Sequence, residues 1–507
     1  MKLTASEIFD GIRFSGPATV EFSREGFSRV INGGSGGVIL PGITDSHVHL
    51  LGEGLNRLSL DLAGCDSRES FRTALSSYAS TRQGQWVTGR GWDQNRLGFT
   101  PDRHFLDSIV PKQPVVLKRV CGHVLAVNSV ALQFAGLTED VKDVPGGVIL
   151  KDDQGPTGIL EEHATDLVLR HVPTADGSLM YDALAAAIEY AYSCGITGVH
   201  TDDLNDVGSY EELWHLYDRV TSSYPMRVQL HYHIKSASDL AEYIVLKKEL
   251  QQHPLLSPGA AKMFLDGSLG ARTAALRDDY TDEKGNKGVL ILPREELLEI
   301  VSLAEKEGIQ LALHAIGDAA IEQALDVLSI VREQGGTGNR HLPHRLIHCQ
   351  VTGPGQLERM AAMGIAAEIQ PVFLQTDKDW VSSRLGYERL QSSYCWRDMW
   401  NQGVLLTGGS DAPVEDMNPW WGIHTAVTRC DNQNRPAEGW EREQSLSLEQ
   451  ALQLFTANPP QLTGWKNGQI RPGFQADMAY YQSLSRTKLW DNAPSALYID
   501  GDLVWKV

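Results

Sequence analysis

Pro41-Gly-Ile-Thr-Asp-Ser-His-Val-His-Leu50 carries an apolar run into two imidazoles, His47 and His49, spaced i, i+2. In an extended chain those positions share a face, so both rings point the same way. The same texture recurs downstream. Ile196-Thr-Gly-Val-His, Val228-Gln-Leu-His-Tyr-His, Ala260-Ala-Lys-Met-Phe-Leu-Asp and Ile309-Gln-Leu-Ala-Leu-His read as strands, as do Arg345-Leu-Ile-His, Ala366-Ala-Glu-Ile-Gln and Val404-Leu-Leu-Thr-Gly-Gly-Ser-Asp. Pro114-Val-Val-Leu-Lys is a further candidate. Amphipathic stretches at 179–194, 294–307, 318–333 and 447–457 lie between such runs. Near-continuous apolar strands alternating with helices describe a parallel sheet covered on both faces. More than six such units in about 350 residues favour a closed (β/α)8 barrel over an open doubly wound sheet.

The two ends of the chain differ from this middle. Residues 1–40 mix short β-prone runs with Gly-rich turns. Asp477-Met-Ala-Tyr-Tyr and Ala496-Leu-Tyr-Ile-Asp-Gly-Asp-Leu-Val-Trp return to that style, the second around an Asp500-Gly501 turn. We therefore expect a small β-sandwich-like domain built from residues 1–41 and 426–507, the latter also holding C-terminal barrel helices. The barrel is expected over 42–425, with an inserted lid segment at about 51–125.

The chain has 507 residues, with 45 Lys+Arg against 64 Asp+Glu and a formal net charge of −19. That balance opposes a nucleic-acid-tracking surface, which needs clustered cations. The N-terminus MKLTASEIFDGIRFSG lacks the apolar core of a secretory signal, and no run approaches the ~18 apolar residues of a membrane span. Six cysteines stand singly, Cys65, Cys121, Cys194, Cys349, Cys395 and Cys430. They read as reduced thiols, and the expected location is the cytoplasm. Gly33-Gly34-Ser35-Gly36-Gly37 precedes a strand rather than a helix, so it is a turn and not a dinucleotide fingerprint.

Polar residues fall at the strand ends. Lys262, His314, His348 and Asp411 lie within or just after apolar runs, as His47 and His49 do. In a barrel these ends converge on one mouth, where active sites are built. Four imidazoles and a carboxylate suit Zn²⁺ or a similar borderline divalent ion. A single His-x-His says little; the whole set at successive strand ends says much more.

These segments resemble the metal-dependent amidohydrolase superfamily over nearly the whole chain, in the branch that includes N-substituted formamide deformylase. The motifs are Pro41–Leu50, Gly89-Arg-Gly-Trp-Asp-Gln-Asn, Lys262-Met-Phe-Leu-Asp-Gly-Ser-Leu-Gly-Ala-Arg-Thr-Ala, His314-Ala-Ile-Gly-Asp, His344-Arg-Leu-Ile-His-Cys-Gln and Thr407-Gly-Gly-Ser-Asp-Ala-Pro-Val. Thr456-Ala-Asn-Pro-Pro and Gly473-Phe-Gln-Ala-Asp-Met-Ala fit the closing pattern. The resemblance implies that His47 and His49 ligate one metal and that His314 and His348 ligate a second or shared one. It implies a CO₂-derived carbamate on Lys262, since an unmodified ammonium cannot ligate a cation. It leaves one or two ions open. Asp411 would touch the metal, take a proton from the metal-activated water and pass it to the leaving nitrogen. A helix N-cap aspartate after Gly408-Gly409-Ser410 is the alternative for that residue.

By the same resemblance Trp92, Asp93 and His123 line the substrate pocket, with His123 donating to the carbonyl oxygen; a lid-core role for Trp92 is equally open. The segment departs from the family at Cys121, where the branch more often carries an acidic residue. The aromatic-rich stretch with Trp380, Tyr387, Tyr394, Trp396 and Trp400, preceded by Phe373, reads as a contact for an apolar acyl or amine group or as an oligomer interface, the latter giving a homodimer. The expected activity is metal-dependent hydrolysis of a C–N bond in a small-molecule amide, formamide or cyclic amide. Ester hydrolysis, deamination and a catalytically inactive regulator are the alternatives.

Overall fold

The computed structural model describes residues 1–120, 122–137, 141–142, 144, 146–173, 176–250, 252–335 and 342–507. Cys121 lies outside the described residues. The chain divides into two compact units, Met1–Gly52 with Ile188–Val507, and Glu53–Ala187.

The first unit holds an eight-stranded sheet: β1 (Ile43–Val48), β2 (Ile196–Thr201), β3 (Arg227–His233), β4 (Leu256–Phe264), β5 (Leu311–Ala315), β6 (Arg345–His348), β7 (Ala366–Ile369) and β8 (Leu406–Gly408). Each strand pairs in parallel with the next, and β2 pairs with β1. Where β8 returns to β1 the main chain closes the ring: Asp411 N–H donates to the His47 carbonyl and His49 N–H to the Ala412 carbonyl, both at 2.8 Å. Helices Tyr210–Ser223, Ala237–Glu249, Arg294–Glu307, Asp318–Glu333 and Pro354–Met363 connect successive strands. Every residue of β1 and β2 is buried, as strands covered on both faces require. Glycine makes the closure sterically feasible. A Cβ on Gly409 would lie 2.7 Å from His47 N and 2.9 Å from its carbonyl oxygen, and one on Gly408 would meet the Phe455 ring at 2.5 Å.

Strands from both ends of the chain share one sheet. Its order is Asp502–Lys506, Ala496–Ile499, Met478–Tyr481, Val38–Pro41, Glu7–Phe9 and Phe14–Ser15. A three-stranded sheet of Lys2–Ala5, Ala18–Ser23 and Gly26–Asn32 accompanies it, with Ala5, Val20, Phe22, Phe27, Ile39 and Met478 in a shared core. The Asp500-Gly501 turn has both residues at positive φ, 47° and 76°, the geometry that favours Asp-Gly in a two-residue hairpin. Arg227 at the start of β3 is buried between Asp477 and Asp500, tying the barrel to this domain.

The second unit carries a six-stranded sheet in the order Gly147–Asp152, Gly155–Glu162, Val124–Val127, Val115–Arg119, Val87–Trp92 and Leu60–Asp61. Two sequence expectations differ from this. The run Pro114-Val-Val-Leu-Lys forms an inner strand of this sheet and not a barrel strand. The unit also extends to Ala187 rather than about 125, because the hairpin 147–162 adds two strands onto Val124–Val127. Among the described residues no helix is long and apolar enough to cross a membrane.

Candidate metal centre

All eight barrel strands deliver a polar side chain at or just past their C-terminal ends. β1 gives His47 and His49, β4 Lys262, β5 His314, β6 His348 and the turn after β8 Asp411. β2, β3 and β7 add Asp202, His233 and Gln370, which the sequence reading did not single out. A signal for each was present: Asp202 directly follows an apolar run, His231-Tyr-His233 repeats the His-x-His spacing, and Gln370 ends the Ala366 run.

Asp411 Oδ1 stands 3.3 Å from Nε2 of His47 and 3.3 Å from Nε2 of His49. Donor atoms of His47, His348 and Asp411 lie within 4.8 Å of one another, all three buried. Asp411 does not cap a helix. The next helix, Pro419–Thr428, begins eight residues on and is capped by Asn418. Asp411 has φ 57°, and His348 and Cys349 have φ 78° and 47°. Left-handed backbone at non-glycine residues is costly and concentrates at functional sites.

The hydrogen bonds behind the rings determine which nitrogens face inward. A carbonyl oxygen can only accept, so the ring nitrogen beside it carries the proton. His49 Nδ1 is 2.5 Å from the Asp202 carbonyl and His314 Nε2 is 3.1 Å from the Gly267 carbonyl. His348 Nδ1 is 2.7 Å from Gln370 Oε1, and the Gln370 amide is oriented by donating to the Glu368 carbonyl at 3.2 Å. The inward nitrogens of the neutral His314 and His348 rings are therefore lone pairs. His314 Nδ1 and His348 Nε2 face each other at 3.0 Å, and His49 Nε2 faces a carboxylate. His47 Nδ1 is buried with no hydrogen-bond partner among the described residues. Such a donor set fits a cation, and outer hydrogen bonds of this kind orient metal-binding histidines.

Electrostatics agrees. Burial, then the Lys262 ammonium, lowers the pKa of His314 to about 3 and also that of His47. Burial and His314 hold His348 well below the ordinary imidazole value. These rings are neutral, as ligands must be. Burial also works against charge on His49, but Asp411 outweighs it and pushes that ring up to about 9. Asp411 is held well below the carboxylate range, against burial, by His47, His49 and His348.

Lys262 is fully buried, with Nζ 4.0 Å from Asp202 Oδ2 and 4.7 Å from the Phe264 ring centroid. Both Asp202 carboxylate oxygens are buried without a hydrogen bond among the described residues; His233 Nδ1 is 3.5 Å from Oδ2. Phe264 lies against His314 and Phe373 against His348, with ring centroids 4.7 and 6.1 Å apart.

The chain matches the amidohydrolase family over residues 34–501. It belongs to that family. It is 37% identical over 452 residues to the putative amidohydrolase YtcJ of Bacillus subtilis, covering 87% of this chain and 83% of that one. It is 27% identical over 465 residues to the N-substituted formamide deformylase of Arthrobacter pascens, covering 88% and 83%. The crystal structure of an uncharacterized metal-dependent hydrolase from Pyrococcus horikoshii superposes with a TM-score of 0.76 at 25% identity, covering 96% and 98%. The amidohydrolase chain described here is thus part of a superfamily of metal-dependent hydrolases.

The remaining sequence-derived candidates sit in the second unit. Trp92 is 1% exposed in its core, with Nε1 donating to the Leu117 carbonyl at 2.9 Å, the place of a packing residue. Asp93 caps the short helix Gln94–Leu97 and pairs with Arg119 at 3.2 Å. His123 is exposed, 3.3 Å from Glu162. The aromatic stretch of the first unit is largely interior. Tyr394 OH donates to Asp377 at 2.6 Å, and buried Trp396 lies against the fully buried Arg429, whose guanidinium is 4.3 Å from the Trp396 ring and 5.1 Å from Trp440. Tyr387 is 77% exposed.

Proposed function

We propose that this amidohydrolase cleaves a non-peptide C–N bond in a small-molecule amide, formamide or cyclic amide at a divalent-metal centre. The observation that carries the reading is Asp411 Oδ1 at 3.3 Å from both His47 and His49, a carboxylate at the edge of a nitrogen-rich cation site. His47, His49, His314, His348 and Asp411 would hold the ion, and zinc suits that set. As a carbamate, Lys262 would add a bridging ligand, and the set would hold one or two ions. When bound, the ion lowers the pKa of a water and polarises the scissile carbonyl. Asp411, acceptor-only when ionised, takes a proton from the attacking water and delivers it to the leaving nitrogen. The substrate roles that the family resemblance gives to Asp93 and His123 belong to the same proposal. The similarity to N-substituted formamide deformylase supports the choice of a C–N bond.

The test is elemental analysis of the purified protein followed by a turnover screen of formamides, N-acyl amines, cyclic amides and esters. Bound zinc and hydrolysis of one of the three C–N classes are expected. Turnover of esters alone, or full turnover without metal, would overturn the reading.

A further inference from the structure

Asp266 lies two residues beyond β4, in the segment Lys262-Met-Phe-Leu-Asp-Gly-Ser-Leu-Gly-Ala-Arg-Thr-Ala, of which the mechanism uses only Lys262. Its side chain is fully buried and accepts three main-chain N–H groups: Ile316 at 3.0 Å, Gly317 at 2.8 Å and Ala275 at 2.9 Å. Ile316 and Gly317 directly follow β5, one and two residues beyond the end of the strand that carries His314. Ala275 lies at the far end of a strap, residues 266–275, that folds back on itself. Within the strap Gly267 N–H donates to the Thr273 carbonyl at 3.2 Å, Ser268 N–H to Thr273 Oγ1 at 2.9 Å and Thr273 N–H to the Ser268 carbonyl at 3.0 Å.

The residue after Asp266 makes the contact that matters. The Gly267 carbonyl receives the His314 Nε2 proton at 3.1 Å, and Asp266 Oδ1 is 3.6 Å from the same nitrogen. A neutral imidazole has one N–H. While the Gly267 carbonyl holds it on Nε2, the lone pair stays on Nδ1, facing His348. The strap is also packed tightly on the turn after β5: a Cβ at Gly317 would lie 1.9 Å from the Ala275 carbonyl oxygen, and one at Gly267 2.2 Å from Thr273 Oγ1. Among the described residues Asp266 is the one side chain that bonds both the far end of the strap and the turn after β5, on either side of the Gly267–His314 contact.

We propose that Asp266 is the positioning residue for His314. By joining the strap to the turn after β5 it keeps the Gly267 carbonyl against Nε2, so that Nδ1 is presented inward as a metal-binding lone pair. This rests on the metal-centre reading above.

The test compares wild type, Asp266→Asn and Arg272→Ala, stripped of metal and titrated with zinc against a chromophoric chelator, then loaded with cobalt(II) for visible absorption. Arg272 anchors the outside of the strap to Asp282 at 3.1 and 3.0 Å and touches neither Asp266 nor His314. Loss of an outer partner of a metal-binding histidine typically weakens metal affinity about 10- to 100-fold. Asp266→Asn should lose zinc affinity in that range and shift the cobalt bands, while Arg272→Ala keeps both. A purely structural Asp266 would lower the melting temperature and leave the cobalt spectrum unmoved, which overturns the proposal; so would zinc affinity within threefold of wild type, or an equal loss in Arg272→Ala. Should Asp266→Asn not fold, ¹⁵N-histidine spectra of the wild type decide instead. His314 should be the Nε2–H tautomer without and with zinc, and an Nδ1–H tautomer overturns the proposal. Failure of wild type to bind zinc or cobalt would overturn the metal reading, and the proposal that rests on it, and is recognised before any variant is compared.

Discussion

His314 Nδ1 and His348 Nε2 lie 3.0 Å apart with lone pairs directed at each other. Each proton is already engaged behind the ring, by the Gly267 carbonyl and by Gln370 Oε1. Two such lone pairs at this distance repel unless a cation lies near them. The arrangement is held from outside, by strands β4, β5 and β7 and the turns after them, so the folded barrel carries the electrostatic preference before any ion arrives.

That preference predicts strong dependence on each ring. His47→Ala or His314→Ala removes one donor and frees its neighbours to reorient. Both variants should fold, bind divalent metal at least about 10-fold more weakly and lose most turnover. Elemental analysis after dialysis, paired with circular dichroism, checks this; full metal content in either variant would contradict it.

The barrel was readable because parallel strands buried on both faces appear as continuous apolar runs, and their polar ends stand out against them. Asp202, His233 and Gln370 were less legible: a carboxylate or amide after an apolar run also suits a turn or cap, and His231-Tyr-His233 offers two rings with nothing local to choose between them. The extent of the second unit was harder. Its outer hairpin alternates, with Val148 and Leu150 exposed beside buried Gly147 and Ile149, and so lacks the uninterrupted run that marks a barrel strand. The aromatic stretch was ambiguous for a different reason. The guanidinium that explains Trp396 comes from Arg429, a partner no local pattern points to.

The barrel interior is not wholly apolar, and this has a measurable consequence. Arg345 and Glu368 pair at 2.7 Å with both side chains fully buried, and Arg345 also donates to Gln229 and Gln310. Removing one partner of a buried pair typically costs about 3–5 kcal/mol, whereas replacing both with apolar groups costs less. Arg345→Met and Glu368→Met should each lower the melting temperature, and the double variant should melt above either single one. A double variant that melts lowest of all would count against this.

Glu415 offers a pH test away from the metal ligands. Burial raises its pKa to about 7, with Asp377 adding to the effect and a 3.3 Å hydrogen bond from Thr376 opposing it. The folded state therefore keeps a proton that the unfolded chain releases above about pH 4.5. Stability from this group is greatest below that value and falls as pH rises towards 7. Glu415→Gln should match wild type near pH 4 and be more stable at pH 8, by about 1–3 kcal/mol. Thermal melts from pH 4 to 8 check this; parallel curves for the two proteins would refute it.

Asp411→Asn is the most direct test of the chemistry. The amide keeps the size of the side chain and an acceptor oxygen, so the fold and the histidine-based metal site should persist. It removes the base. General acid–base assistance typically contributes about 10²–10⁴-fold, equivalent to roughly 3–5.5 kcal/mol of barrier. The same carboxylate is proposed to protonate the leaving nitrogen, so amides should lose more than activated esters, whose leaving groups depart without a proton. A residue that only shaped the turn after β8 would behave differently, because its loss would lower the melting temperature and slow both substrates alike. Rates on a matched amide and activated ester, with metal content and melting temperature measured on the same preparations, separate the two. Equal and mild losses on both substrates would return Asp411 to a structural role.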